Sequence, residues 1–551
     1  MRNLRSLLPL WLLLIVASAP IRAEEKGETD KPTDPKVIAK RVAEVREEYD
    51  AIKSNQDLNQ TRRRRELARR LGTLPHEDSV KILLSVIEND SDLRARIDAM
   101  HSLTLIGDID SVQRMYRTVV KEKKTAKNVL GGYLGSALSK ATDGNVPAWI
   151  VKKMLGNTYR AKILRGTQMP IRMSAIEALG ALRAPEGRAP LLELLTKVEP
   201  KRKEIHQRFE ILRSLGMIGG DGVQQRLHDA AASEDWRLRL AAADVLAQHF
   251  RSEKDLAWMR KLLKDEKPIV REIAARSSGQ HKLEPLFPEL VVLMREGNLR
   301  SKQRSYEALT AISGQDFGYA PDLWAKWWQD KQKGQLTKSG DIKNRKRISV
   351  ATYYDFKIFS DRVLFVVDVS GSMKWPDYEP HRIDVAKQEL VKAIRALDEK
   401  TLFNLASFAG HLNMWQKKGE VPANPANKKA ALGWIEDALL PRGATNTYSA
   451  LMDGLAMNPL VDTVYFLSDG IPSTGRKEIP EEILQDLAYA NRFRRVIFNT
   501  IAIAMGKPSI EKAEKYEDPD EMYMFMKMIA DANAGTCVDV RRPFGKLRKD
   551  D

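Results

Sequence analysis

Asp368, Ser370 and Ser372 leave one apolar run together, in the segment VLFVVDVSGSM at 363–373. A second run, VDTVYFLSDG at 461–470, carries Asp469 just before Gly470, and between the two GATNTYSAL at 443–451 places Thr445 at the mouth of a helix. Two carboxylates and three hydroxyls are hard oxygen donors, and no soft ligand competes with them. Such a set suits a small divalent cation, Mg²⁺ or Mn²⁺, which takes about six oxygens and keeps several waters. The alternative is a metal-free turn in which Ser370 and Ser372 cap the next helix. A cap needs one residue of this kind, and five are present.

The positions of these residues follow from the elements around them. Residues 363–367 and 464–467 are unbroken apolar runs, as in strands buried on both faces of a parallel sheet. Ligands of such sheets bind beyond the carboxyl ends of the strands, where both aspartates fall. From 361 onward strands are expected at 363–368, 402–409, 464–468, 496–503 and 536–540, and helices at 382–397, 428–440, 447–455, 480–491 and 520–532. This alternation is that of a doubly wound α/β domain. Asp368, Ser370 and Ser372, with Thr445 and Asp469 in order behind them, resemble the metal-ion-dependent adhesion site of von Willebrand factor type A (VWA) domains, over about the last 200 residues. The resemblance implies that Ser370 and Ser372 coordinate directly, Thr445 directly or through water, and Asp368 and Asp469 largely through water. One position would stay open for an acidic group of a ligand. Ala444 stands where a glycine often precedes the threonine.

The preceding half reads as a helical array. Leu71, Leu103, Leu138, Leu179, Leu215, Leu246 and Leu309, with Ser278 in one slot, recur at 31 to 41 residues, a solenoid period. Most units carry Arg or Lys seven residues before the slot and a small residue between, as in Arg172, Ala175, Leu179 and Arg239, Ala242, Leu246. Those positions share one helical face, giving a buried stripe with a basic rim. IRMSAIEALGAL and LRLAAADVLAQ resemble HEAT-type repeats, with the armadillo type hard to separate. Trp324, Trp327 and Trp328 share a helical face and are expected to cap the array, a ligand-stacking patch being the alternative. The fold class is therefore an α-helical HEAT-like solenoid followed by a Rossmann-like α/β VWA domain. The expected boundaries are a signal at 1–23, a polar segment with a charged helix at 24–60, repeats at 61–331, a basic linker at 332–352 and the VWA domain at 353–551.

A chain of 551 residues exceeds one core, in keeping with two halves. Arg2 and Arg5 precede the apolar stretch 7–19, and Ile21-Arg22-Ala23 offers a small-residue cleavage site, the pattern of a secretory signal. An uncleaved anchor is the alternative, but the stretch is short against the roughly 20 residues of a membrane span. No other segment is long enough to cross, so the expected location is exported, periplasmic or secreted. The single cysteine, Cys537, allows no internal disulfide and reads as a buried thiol in the last strand. The net charge is +17; residues 351–551 hold 27 Lys+Arg against 29 Asp+Glu, so the first 350 carry an excess of 19 positive charges. That excess favours an anionic polymer as a partner of the repeats, or only keeps a helical surface solvated.

No HExxH or GxSxG occurs, and the eight histidines are scattered. A hydrolase built on Asp368 and Asp469 would lack a general base, so no enzyme is expected. The expected function is an exported binding module that captures a protein's Asp or Glu through the metal, the repeats acting as a second surface or spacer. The alternative is a scaffold of an envelope complex in which the repeats are the main docking surface.

Overall fold

The computed structural model describes residues 34–55, 57–90, 92–121, 134–135, 137–155, 169–198, 204–334, 350–374, 381–470, 472–503 and 519–540. The expected signal, most of the basic linker, and the loops at 375–380 and 504–518 lie outside these residues. No helix among the described residues is long and apolar enough to cross a membrane. The described residues up to Val245 and those from Leu246 onward form two compact units.

The repeat half is helical as expected, beginning with the charged helix Pro35–Ile52, which Asp34 caps through Lys36 N. Every slot residue is buried, from Leu71 at 1% exposure to Ser278 and Leu309 at 0%. Ser278 fills the one slot without leucine, beside a close helix contact. A Cβ on the adjacent Gly279 would stand 2.6 Å from the Cα of Ala308, so the helices Pro268–Gln280 and Leu299–Ser313 nearly touch. The Ser278 hydroxyl donates to Ala274 O at 2.8 Å within its own helix.

The basic residue seven before the slot does more than line a rim. Arg239 Nη1 donates to Ser233 O (3.0 Å) and Glu234 O (2.9 Å), and Arg271 Nη1 to Asp265 O (2.6 Å) and Glu266 O (3.3 Å). Arg208 reaches Leu195 O and Val198 O, and Arg64 reaches Ile52 O and Asn55 O. Each satisfies carbonyls in or beside the turn between two helices. Part of the positive excess thus serves the turns between helices. Among the three tryptophans, Trp324 and Trp327 are buried and Trp328 stacks on Phe287 at 4.8 Å, so the group closes the array over its last helices.

The α/β half carries a seven-stranded sheet, and its strands are named here together with a short hairpin: β1 (Thr352–Tyr353) and β2 (Phe356–Lys357) form the hairpin, and β3 (Arg362–Asp368), β4 (Leu402–Phe408), β5 (Leu412–Met414), β6 (Val421–Pro422), β7 (Thr463–Ser468), β8 (Ile497–Ala502) and β9 (Cys537–Asp539) the sheet. The order is β5-β4-β3-β7-β8-β9, with β6 also on β4; β3, β4, β7, β8 and β9 run parallel, and β5 and β6 are antiparallel to β4. The five parallel strands fall where expected, and the antiparallel edge is an addition. The expected helix at 428–440 begins earlier, at Pro425, because the Asn424 side chain accepts from Asn427 N at 2.8 Å and caps it. Helices 382–396 and 480–491 match their expected starts. Cys537 is in β9, half-buried, its thiol pushed up to about 12 mainly by burial.

Both β3 and β7 are buried along nearly their whole length, with Phe365 stacked on Tyr465 at 5.5 Å between them. Tyr353 of the hairpin meets both rings edge-on, at 5.2 and 5.7 Å. The chain builds β4 on one side of β3 and then returns to build β7 on the other. Connections therefore leave the carboxyl ends of β3 and β7 in opposite directions, opening a crevice there.

At the opposite end of these strands the helix Leu299–Ser313 is joined to the sheet. Leu299 N donates to Asp361 Oδ2 at 2.9 Å, and the buried Arg300 donates to Asp462 O (2.8 Å) and Arg495 O (3.3 Å) while pairing with buried Glu272 at 3.1 Å. The last repeats and the α/β sheet are thus one packed body. Asp462 is half-buried beside this network and accepts from Ser360 and Thr463 hydroxyls. Burial pushes its carboxyl up to about 6, against the opposing pull of Arg300. The folded value lies above the ordinary one, so its contribution to stability is full below about pH 4 and is lost as pH rises through about 6. Denaturation at a series of pH values is expected to show that decline, and Asp462→Asn to flatten it by about 2 kcal/mol over that window. An unchanged slope in the variant would show that Asp462 does not titrate there.

Candidate metal centre

Local backbone bonds build the turn after β3. Val369 N continues the ladder to Phe408 O (2.8 Å), Ser370 N folds back on Asp368 Oδ1 (2.7 Å), and Met373 N closes a 3₁₀ turn on Ser370 O (3.1 Å). Met373, fully buried, anchors the turn from below. The Thr445 loop is tied to this turn by Arg442 N to Val369 O (2.7 Å) and Gly371 N to Gly443 O (2.9 Å), and to the β4 end by Asn446 N to Ala409 O (2.8 Å). Gly443 has φ +70°, so the left-handed bend of this loop falls one residue before Ala444, where alanine meets no strain. Thr445 is buried and exchanges two bonds with Ser473: Thr445 N donates to Ser473 Oγ and Ser473 N to Thr445 O, both at 3.0 Å.

The side chains then converge. Ser372 Oγ lies 2.8 Å from Asp469 Oδ1, Ser370 Oγ lies 3.4 Å from the same oxygen, and the two hydroxyls are 3.1 Å apart. Asp368, fully buried, accepts from Ser468 Oγ at 2.6 Å through its second oxygen. Asp469 Oδ2 is held by Arg382 Nη1 at 2.7 Å. The structure thus brings Asp368, Ser370, Ser372 and Asp469 into one hydrogen-bonded cluster, with the Thr445 backbone bonded into the adjoining loop. Burial and then the charge of Asp469 push the Asp368 carboxyl up to about 7. Asp469 is also raised, by burial, with Arg382 opposing.

An octahedral ion with bonds of about 2.0–2.1 Å separates neighbouring donors by roughly 2.8–3.0 Å. In the triangle of Ser370 Oγ, Ser372 Oγ and Asp469 Oδ1 two edges, 2.8 and 3.1 Å, are close to that spacing and the third, 3.4 Å, is longer. Two mutually repelling buried acids beside hydroxyl oxygens also match what a divalent cation neutralises, so the donor set fits such an ion. No group of three or more His, Cys, Asp or Glu is arranged for a metal among the described residues, since the further oxygens here are hydroxyls. Asp469 touches both hydroxyls in this arrangement.

Sequence reasoning missed Arg382, Ser468 and Ser473. Ser468 immediately precedes Asp469, and its position at the end of a buried strand was the available signal. Arg382 opens a helix that nothing local marks as pointing at the site. His381 occupies the N-cap position of that helix without a side-chain capping bond.

The family model of the von Willebrand factor type A domain matches residues 361–508, that of HEAT repeats matches 207–279 and 223–312, and that of the PBS lyase HEAT-like repeat matches 171–197. The chain therefore carries HEAT repeats followed by a C-terminal VWA domain. It is 28% identical over 127 residues to mouse inter alpha-trypsin inhibitor, heavy chain 4, covering 21% of this chain and 13% of that protein. Among solved structures, a von Willebrand factor type A protein from Catenulispora acidiphila is 18% identical with a TM-score of 0.27, the match covering 33% of this chain and 39% of the other. An aerotolerance-related membrane protein from Bacteroides fragilis is 16% identical with a TM-score of 0.25, covering 32% and 90%. The chain thus spans about an eighth of the curated relative and well under half of the first structure. Both domain families serve mainly in protein interaction.

Proposed function

We propose that this chain is an exported, non-enzymatic binding protein whose VWA site holds Mg²⁺ or Mn²⁺ and captures an Asp or Glu of a protein partner. The observation that carries the reading is the oxygen triangle of Ser370, Ser372 and Asp469 at the crevice between β3 and β7. The ion, when bound, supplies a Lewis-acidic position for a carboxylate. Ser370 and Ser372 present hydroxyl oxygens to it, Thr445 adds a third directly or through water, and Asp368 and Asp469 supply the charge. Residues 1–23 direct export to the periplasm or beyond, and the repeats add a second surface or reach.

The charge excess of the first 350 residues favours a second reading, in which the repeats are the main docking surface of an envelope scaffold and bind an anionic polymer. Capture of envelope proteins on the immobilised chain separates the two. Under the first reading capture in Mg²⁺ falls at least tenfold in chelator, and Ser370→Ala and Thr445→Ala reproduce that loss. Capture unchanged by chelator but weakening steeply with salt would instead favour the repeats.

A further inference from the structure

Arg382 is the charged group of the site that the five-residue pattern does not contain. Its guanidinium grips Asp469 Oδ2 at 2.7 Å, while Oδ1 of the same carboxylate faces the hydroxyls of Ser370 and Ser372. The arginine side chain is only 10% exposed and the aspartate side chain 0%, so this contact is little screened by water. One carboxylate therefore joins a fixed positive charge on one side to the oxygen cluster on the other. Resting on the reading above, we propose that Arg382 sets the charge of the loaded site, weakening its hold on the metal and strengthening its hold on an acidic ligand.

The argument is one of charge. With both aspartates ionised the cluster of Asp368, Asp469 and Arg382 carries one net negative charge. A divalent cation brings it to one positive, and one carboxylate from a ligand brings it to zero. Without the arginine the loaded site would already be neutral, and the incoming carboxylate would leave a buried negative charge unpaired. Conversely, the fixed positive charge opposes entry of the cation by Coulomb repulsion across the carboxylate. Arg382 also aims the carboxylate, because holding Oδ2 leaves Oδ1 turned to the hydroxyls.

The two effects have opposite signs, which a merely structural role would not produce. The test uses the full chain and two probes, Mn²⁺ alone by calorimetry and acetate by its line broadening on the Mn²⁺-loaded protein. Arg382→Gln, which keeps a donor to Oδ2 and removes the charge, is expected to bind Mn²⁺ about tenfold more tightly and acetate about tenfold more weakly. Arg382→Lys, which keeps the charge, is expected to stay within about threefold of the parent on both. Equal or weaker Mn²⁺ binding by the Gln variant, with the parent binding normally, overturns this inference and leaves the metal site standing. Absence of Mn²⁺ binding by the parent removes both.

Discussion

Saturating Mn²⁺ or Mg²⁺ is expected to raise the unfolding free energy of residues 246–551, and Asp368→Ala to abolish the response. At about a hundred times the dissociation constant the gain is about 2.7 kcal/mol, since only the folded state assembles the three segments. Asp368 is the choice because it is fully buried at the end of the central strand and bonds both the Ser370 amide and the Ser468 hydroxyl. Its removal leaves the Ser370 amide without that acceptor, at a cost of about 1–3 kcal/mol, while the Ser468 hydroxyl keeps Gly470 O at 3.2 Å, and it also removes a buried carboxylate repelled by Asp469. The metal-free fold should therefore survive. Thermal unfolding with and without metal, beside calorimetric titration, checks both parts. An equal metal-induced shift in the variant would place the ion elsewhere.

The second large effect lies at the other end of the strands. Arg300→Met leaves Glu272 buried without its cation and removes one donor each from the carbonyls of Asp462 and Arg495. Breaking one side of a buried pair costs about 3–5 kcal/mol. Adding Glu272→Met should recover most of that, leaving about 1–2 kcal/mol for the two lost hydrogen bonds. Native-state hydrogen exchange of the β3 and β7 amides reports the stability of this body. A loss under about 1 kcal/mol for the single variant would show that the junction is held by apolar packing alone.

The difference between these two ends explains what could be read beforehand. Asp368, Ser370 and Ser372 are neighbours in the chain, and buried parallel strands announce themselves as apolar runs, so that half of the site and its sheet were legible. Leucine slots repeat often enough that even Ser278 could be placed. Arg382 and Arg300 are two among 91 Lys and Arg residues, and what distinguishes them is a partner 87 and 162 residues away. Strands β5 and β6 are three and two residues long, too short for any periodicity to register. The arginines that bind the inter-helix turns escaped for another reason: their spacing was visible, but backbone carbonyls have no sequence letter.

The central strand also has a mechanical reading. Its amino-terminal end is clasped by the helix Leu299–Ser313, through Asp361 just before it and through Asp462 and Arg495 at the feet of β7 and β8. Its carboxyl-terminal end carries Asp368. Tension between those repeats and a ligand at the crevice would run along the covalent backbone of β3, loading its ladders to β4 and β7 in shear, with many hydrogen bonds sharing the force at once. A pull at right angles to the strands would open the same ladders one bond at a time. The junction with the repeats and the proposed ligand site sit at opposite ends of one strand, an arrangement suited to holding under load.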